Sequence, residues 1–170
     1  MCTRDNRTHI GDRTTAPFLY EGEIRSRILR LKYANERRIA AELGRDVAHH
    51  AIAHGMRPDV VTWIPTTRRK LRRRGIDHAE LIAEHVARQL RIPCRQLLMR
   101  ANNMSQTGQT RRVRLSQVRF RSRRLSPDIC VLVVDDVVTT GASMRAARQA
   151  LKSSGAGIVH CIAVAITAPR

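Results

Sequence analysis

The pattern of apolar and polar positions predicts alternating helices and strands. Apolar residues recur at every fourth position over 36–54, which predicts a helix that ends at a His-Gly pair. A second helical pattern covers 77–90 and starts with the Asp and Glu of a capping box, three positions apart. A third covers 144–151. We therefore expect three helices, separated by segments of another kind.

Those other segments are short apolar runs rich in β-branched residues, which predict buried strands. They cover 59–65, 92–99, 129–134 and 158–166. Continuous apolar strands that alternate with helices indicate a parallel sheet with helices on both of its faces. The expected fold class is therefore α/β.

The remaining segments limit the domain organisation. Residues 1–16 are polar and without period, so we expect a disordered tail before a single domain over 17–170. No apolar run approaches the roughly 18 residues of a membrane span, and the N-terminus lacks the apolar core of a secretory signal. No two cysteines have C-x-x-C spacing. A cytoplasmic protein without a membrane partner is the expectation, and its oligomeric state, a homodimer included, stays open.

Positive charge is concentrated in the middle of the chain. Of the net charge of +18, the segment 66–127 carries +14, with 17 basic side chains and 3 acidic ones. Codon bias explains part of the preference for arginine, but it does not explain why acids are absent over 100–124. Such a field attracts phosphates, on a small molecule or on a nucleic acid. The same segment 100–124 has no period, and we expect it to be a long basic loop.

The apolar run 129–134 is followed by two carboxylates, Asp135 and Asp136, and by a turn of small residues. Ligands of open parallel sheets bind beyond the carboxyl ends of the strands, where two carboxylates can accept hydrogen bonds from the vicinal hydroxyls of a ribose. The turn combines backbone N–H groups and hydroxyls with a helix N-terminus, which makes a phosphate cradle. It consists of Thr139, Thr140, Gly141, Ala142 and Ser143.

The stretch 131–143 resembles the phosphoribosyl pyrophosphate signature of type I phosphoribosyltransferases, with an allowed residue at every position. Other segments resemble the ComF family of competence-associated phosphoribosyltransferases; they are Tyr20-Glu21-Gly22, Ile24-Arg25, Leu31-Lys32-Tyr33, Pro65, Arg74-Gly75-Ile76-Asp77-His78 and Gln106-Thr107-Gly108. Many ComF members begin with a cysteine-rich zinc ribbon. Here only Cys2 precedes the core, so no zinc site is carried over.

The resemblance implies a type I phosphoribosyltransferase-like open parallel sheet and an enzyme that transfers ribosyl 5-phosphate from phosphoribosyl pyrophosphate, with Mg²⁺, to an acceptor that it does not identify. Asp135 and Asp136 would hold the ribose, directly or through water on Mg²⁺, and 139–143 would bind the 5-phosphate. A pyrophosphate loop would grip the leaving group with backbone N–H groups and arginines; its residues would be Thr66, Thr67, Arg68 and Arg74. The flexible loop that closes over the substrate would include Gln106 and Arg114.

Two other functions stay open. The fold could sense phosphoribosyl pyrophosphate without catalysis, as an accessory protein in DNA uptake or repair, or the Arg-rich middle could bind nucleic acid. The chain has one Trp, two Tyr and two Phe, which is few for base stacking. We therefore expect only weak, electrostatic binding of single-stranded DNA.

Overall fold

The structure is a computed structural model, and it describes residues 9–10, 14–34, 36–101 and 118–168. Its helices and strands are, in chain order, β1 (His9–Ile10), β2 (Thr14–Thr15), β3 (Phe18–Leu19), α1 (Gly22–Tyr33), α2 (Arg38–Ala53), β4 (Val60–Trp63), α3 (Arg68–Arg74), α4 (His78–Leu90), β5 (Leu98–Arg100), β6 (Phe120–Ser122), β7 (Cys130–Val138), α5 (Ala142–Ser153) and β8 (Ile158–Ile166).

A mostly parallel sheet lies at the centre of the fold. Its strand order is β1-β2-β8-β7-β4, and β3 also pairs with β8. Among the described strands of this sheet, β1 pairs antiparallel with β2, and all the other pairs are parallel. Val61 lies opposite Leu132, which in turn lies opposite His160. This register brings the carboxyl ends of β4 and β7 to the same edge of the sheet.

Helices cover both faces of the sheet. Val61, Leu132 and Ile162 belong to a core that includes buried residues of α1, α2 and α4. Val131 and Val133 belong to a second core, on the other face, with α5 and the β5–β6 hairpin. A strand buried on both faces needs apolar side chains at every position, which explains the continuous apolar runs. The predicted α/β fold class is confirmed.

The helices α2 and α4 approach each other closely at Gly44. A Cβ atom at this position would lie 2.5 Å from the Cβ of His85 and 3.2 Å from the carbonyl oxygen of Ile82. The absence of a side chain therefore sets the distance between the two helices. This contact holds α4, whose N-terminus reaches the carboxyl edge of the sheet, in its place.

Two helices have no counterpart in the sequence prediction. In α1 the buried side chains are Ile28 and Leu31, so its apolar pattern is weak. The segment Arg68–Arg74, whose two end residues the resemblance assigned to a pyrophosphate loop, forms α3 and buries none of its residues. Its ends explain why it is a helix: the Thr67 side chain accepts a hydrogen bond from the N–H of Lys70, and Gly75 ends it at a φ of 72°.

The region after α4 also differs from the prediction. The predicted strand 92–99 contributes only an isolated bridge between Cys94 and Val61 and the beginning of β5. β5 pairs antiparallel with β6, which lies within the predicted loop 100–124. This pairing joins segments that are far apart in the chain, and a local pattern does not reveal it.

Part of the segment 1–16, which was predicted to be a disordered tail, pairs with the central sheet. Thr14 and Thr15 pair with Cys161 and Ile162 of β8. Residues 1–8 and 11–13 of that segment lie outside the described residues. No helix in the described part of the chain is long and apolar enough to cross a membrane.

Candidate functional site

The acid pair and the loop after β4 meet at a cavity of about 390 Å³ at the carboxyl edge of the sheet. β7 continues through Asp135 and Asp136 to Val138, because β8 pairs with it as far as Ile166. The acids therefore lie within the strand, not beyond its end as the apolar run predicted. The charged residues that line the cavity are Asp77, Asp135 and Asp136 together with Lys32, Lys70, Arg74 and Arg100.

The two strand acids form a connected pair. The backbone N–H of Asp136 donates to Oδ1 of Asp135 at 2.8 Å. The Nζ of Lys32 lies 2.7 Å from Oδ2 of Asp136, and these two side chains are only 14% and 17% exposed. Burial, followed by the neighbouring Asp136 carboxylate, raises the pKa of Asp135 well above its ordinary value, while Lys32 acts in the opposite direction.

The turn between β7 and α5 places the start of a helix at the cavity. Gly141 has a φ of 72°, a left-handed conformation that glycine adopts without strain, and it precedes the first turn of α5. The Arg145 side chain donates to the carbonyl oxygen of Thr140 at 2.9 Å and holds the turn against the helix. Thr139 and Ser143 line the cavity. The N-terminus of α5, with its partial positive charge, thus lies beside the acid pair.

Asp77 connects the loop after β4 to the start of α4. Its Oδ2 accepts from the backbone N–H of Thr66 at 2.7 Å, and its Oδ1 accepts from the N–H of Ala79 at 3.2 Å. Burial raises the pKa of this carboxyl, and the two backbone hydrogen bonds oppose that shift. The N–H of Thr66, which the resemblance assigned to the leaving pyrophosphate, is therefore already bonded to Asp77.

Hydrogen bonds to other residues hold two basic side chains of the cavity in position. Arg74 donates to the hydroxyl of Tyr33 at 3.1 Å, and its guanidinium carbon lies 5.1 Å from the centre of that ring. Arg100 donates from Nε to the carbonyl oxygen of Pro65 at 2.7 Å, and burial lowers its pKa. Both side chains are thereby positioned at the cavity before any ligand binds.

The structure brings six of the thirteen predicted site residues to the cavity; they are Thr66, Arg74, Asp135, Asp136, Thr139 and Ser143. Thr140, Gly141 and Ala142 belong to the turn before α5 but do not line the cavity. Of the predicted pyrophosphate loop, Thr66 and Arg74 line the cavity, whereas Thr67 caps α3 and Arg68 is exposed at its start. Gln106 and Arg114 lie outside the described residues. Sequence reasoning gave no site role to Lys32 or Arg100. It interpreted Asp77 as a helix cap and as part of a segment that resembles the ComF family.

A family model described as a phosphoribosyl transferase domain matches residues 77–169, which is more than half of the chain. The chain belongs to the phosphoribosyl transferase domain family. The matched segment runs from the cap of α4 to the end of β8, so it includes both strand acids and the turn before α5.

The chain is similar to several solved structures. Glutamine phosphoribosylpyrophosphate amidotransferase from B. subtilis, complexed with ADP and GMP, has a TM-score of 0.52 at 23% identity, over 74% of this chain and 26% of that chain. The purine phosphoribosyltransferase from Pyrococcus horikoshii Ot3 has a TM-score of 0.48 at 16% identity, over 75% of this chain and 72% of that chain. The chain thus spans about a quarter of the amidotransferase. No curated protein matches its sequence.

Proposed function

We propose that this protein is a ComF-like phosphoribosyltransferase that binds phosphoribosyl pyrophosphate with Mg²⁺ and transfers the ribosyl 5-phosphate to an acceptor base. The observation that carries the proposal is the cavity at the carboxyl edge of the sheet. In it, an acid pair, the N-terminus of a 12-residue helix and four basic side chains surround a volume of about 390 Å³. That combination suits a sugar with hydroxyls on one side and phosphates on the other.

Each part of the ligand has a proposed partner. Asp135 and Asp136 accept hydrogen bonds from the ribose hydroxyls, and the turn 139–143 binds the 5-phosphate through backbone N–H groups and hydroxyls. Arg74, which lines the cavity, binds the pyrophosphate. Gln106 and Arg114 are proposed to close over the bound ligand.

The proposed reaction breaks the bond between the ribose C1 and the pyrophosphate oxygen, which leaves with the electron pair. A bond forms from C1 to the acceptor atom, whose proton passes to solvent or to the leaving pyrophosphate. Positive charge develops on the ribose and negative charge on the leaving group in the transition state. Basic side chains fixed near the leaving group, such as Arg74 and Arg100, stabilise that charge without reorganising. Water must be kept away from the ribosyl centre, because it would compete with the acceptor.

The residues fit a metal ion that arrives with the ligand. In the part of the chain that the structure describes, no group of three or more His, Cys, Asp or Glu side chains is arranged to hold a metal. Mg²⁺ commonly binds through one or two carboxylates, several waters and substrate phosphates. Asp135 and Asp136 would hold it through water, and it would neutralise charge on the departing pyrophosphate.

Thermal unfolding tests the binding. A ligand at a hundred times its dissociation constant stabilises a protein by about 2.7 kcal/mol, which raises the melting temperature of a chain of this length by roughly 5–10 °C. We expect phosphoribosyl pyrophosphate with Mg²⁺ to produce such a shift, and the double variant Asp135→Asn/Asp136→Asn to lose most of it. Asp128→Asn is the matched control, because Asp128 is exposed and precedes the opposite end of β7. No shift of the unsubstituted protein at millimolar ligand would refute the proposal.

Turnover distinguishes the enzyme from a sensor. Incubation with phosphoribosyl pyrophosphate, Mg²⁺ and each of a panel of purine and pyrimidine bases should release pyrophosphate with at least one base. Binding without release across the panel would favour the ligand-sensing accessory protein instead.

A further inference from the structure

The cavity contains an ion pair that is largely removed from water. Lys32 is near the end of α1, and its Nζ lies 2.7 Å from Oδ2 of Asp136 on β7. The side chains of Lys32 and Asp136 are 14% and 17% exposed. By comparison, Arg30 of the same helix pairs with Glu36, and these two side chains are 55% and 40% exposed. A surface pair is weakened by water and salt, but a pair at this depth is screened much less.

The contacts of the acid pair leave room for a ligand. Oδ1 of Asp135 accepts from the N–H of Asp136, and Oδ2 of Asp136 contacts Lys32. These contacts engage one oxygen of each carboxylate, so each has a second oxygen to offer to a hydroxyl. Two other basic side chains of the cavity have partners outside the acid pair. Arg74 donates to the hydroxyl of Tyr33, and Arg100 donates to the carbonyl oxygen of Pro65.

We infer that Lys32 is the resident cation of the acid pair and prevents free divalent metal from binding there in the ligand-free protein. A divalent ion that binds to Asp136 would either displace the ammonium or lie within a few ångströms of a like charge, and both are unfavourable in a half-buried site. A metal ion that arrives with a polyphosphate brings its own negative charges and is not excluded in this way. This inference rests on the proposed function for the identity of the polyphosphate.

Titration of the ligand-free full chain with Mn²⁺, followed by electron paramagnetic resonance, tests the inference. We expect no saturable binding to the unsubstituted protein up to millimolar Mn²⁺. Lys32→Met should bind Mn²⁺ at least about tenfold more tightly, because the carboxylates lose their internal cation. Lys32→Met/Asp136→Asn should lose the gained binding, and Lys32→Arg, which keeps the charge, should behave like the unsubstituted protein.

Arg27→Met is the matched control. Arg27 is also on α1, is 18% exposed and pairs with Glu42 at 2.8 Å, outside the cavity. We expect it to leave Mn²⁺ binding unchanged. Circular dichroism of each variant verifies folding, and Lys32→Gln replaces Lys32→Met should the latter not fold.

Two results would overturn the inference. One is equal Mn²⁺ affinity of folded Lys32→Met or Lys32→Gln and the unsubstituted protein. The other is tight Mn²⁺ binding to the unsubstituted protein that Asp136→Asn removes. Binding of phosphoribosyl pyrophosphate is measured separately, so a protein that excludes Mn²⁺ but does not bind the sugar phosphate would refute the proposed function and leave the role of Lys32 standing.

Discussion

Asp135 shows at the scale of one residue how the proposed ribose site would lower the stability of the ligand-free protein. The carboxyl is removed from water and lies beside a second carboxylate, so its pKa is raised well above the ordinary value. The folded protein therefore binds this proton more tightly than the unfolded chain does. Above the raised pKa, where the proton is lost, folding must place a charge where burial and Asp136 oppose it. Such trade-offs between stability and activity are common at functional sites.

We predict that Asp135→Asn stabilises the ligand-free protein at pH 7.5, because the neutral amide removes a charge that burial and Asp136 oppose. The expected gain is about 0.5–2 kcal/mol, the range that single stabilising substitutions commonly give. The amide oxygen can still accept from the N–H of Asp136. Because the pKa is raised, the unsubstituted protein loses stability as pH rises from the ordinary value of 3.8 through the raised one. The advantage of the variant should therefore grow between pH 4.5 and 7.5 in urea unfolding.

Asp128→Asn again provides the control for this measurement. Its side chain is exposed, so we expect its free energy of unfolding to stay within about 0.5 kcal/mol of the unsubstituted protein at both pH values. If the difference in free energy of unfolding between Asp135→Asn and the unsubstituted protein were smaller at pH 7.5 than at pH 4.5, the pKa of Asp135 would not be raised by folding.

At the scale of elements, the site depends on how closely α2 and α4 pack. α4 begins at the cavity with the cap residue Asp77, and α2 packs closely against α4 at Gly44. Helix propensity alone predicts that alanine in place of Gly44 stabilises α2 by about 1 kcal/mol. The packing predicts the opposite, because the new Cβ would lie 2.5 Å from the Cβ of His85.

We predict that Gly44→Ala lowers the free energy of unfolding by about 1–3 kcal/mol, as overpacking of a tight core does. Chemical denaturation measures the change. Arg45→Ala, at the next and exposed position of α2, should change stability by less than about 0.5 kcal/mol. A stabilised Gly44→Ala would mean that the two helices separate easily and that their spacing does not hold the start of α4.

At the scale of the whole molecule, the net charge of +18 gives the protein a field that attracts polyanions. α3 contributes a dense part of that field next to the cavity. Its exposed basic residues are Arg68, Arg69, Lys70, Arg72 and Arg73. A single-stranded oligonucleotide should therefore bind weakly, without sequence preference and with a steep dependence on salt.

We predict that Arg69→Glu/Arg72→Glu/Arg73→Glu weakens binding of single-stranded DNA at least about tenfold at low salt and flattens its salt dependence, because each lost phosphate contact removes about 0.7 from the slope. Fluorescence anisotropy with a labelled oligonucleotide measures both. Arg25→Glu/Arg38→Glu/Arg45→Glu makes the same change of net charge at exposed positions of α1 and α2. Equal losses in the two triple variants would show that binding follows net charge and not α3.

The sequence by itself determined the unit formed by β7, the turn after it and α5. The order of its parts is local: an apolar strand, two adjacent acids, a glycine in the left-handed conformation and a helix N-terminus follow one another within 130–153. The length of β7 is not local, because pairing with β8 continues the strand through the two acids. The parallel sheet was also predictable, because strands buried on both faces must be apolar throughout. Pattern recognition succeeds where the physical cause lies within a few residues.

Only the tertiary structure decided what surrounds that unit. Lys32, Asp77 and Arg100 come from α1, the cap of α4 and the end of β5, and they reach the acid pair because the helices pack on the sheet and β5 pairs with β6. Lys32 and Arg100 gave no local signal, since the chain is rich in basic residues and any of them could have faced solvent. Asp77 gave the local signal of a helix cap, which does not reveal that it lines the cavity. The raised pKa of Asp135 and the ion pair between Asp136 and Lys32 both arise from this long-range packing.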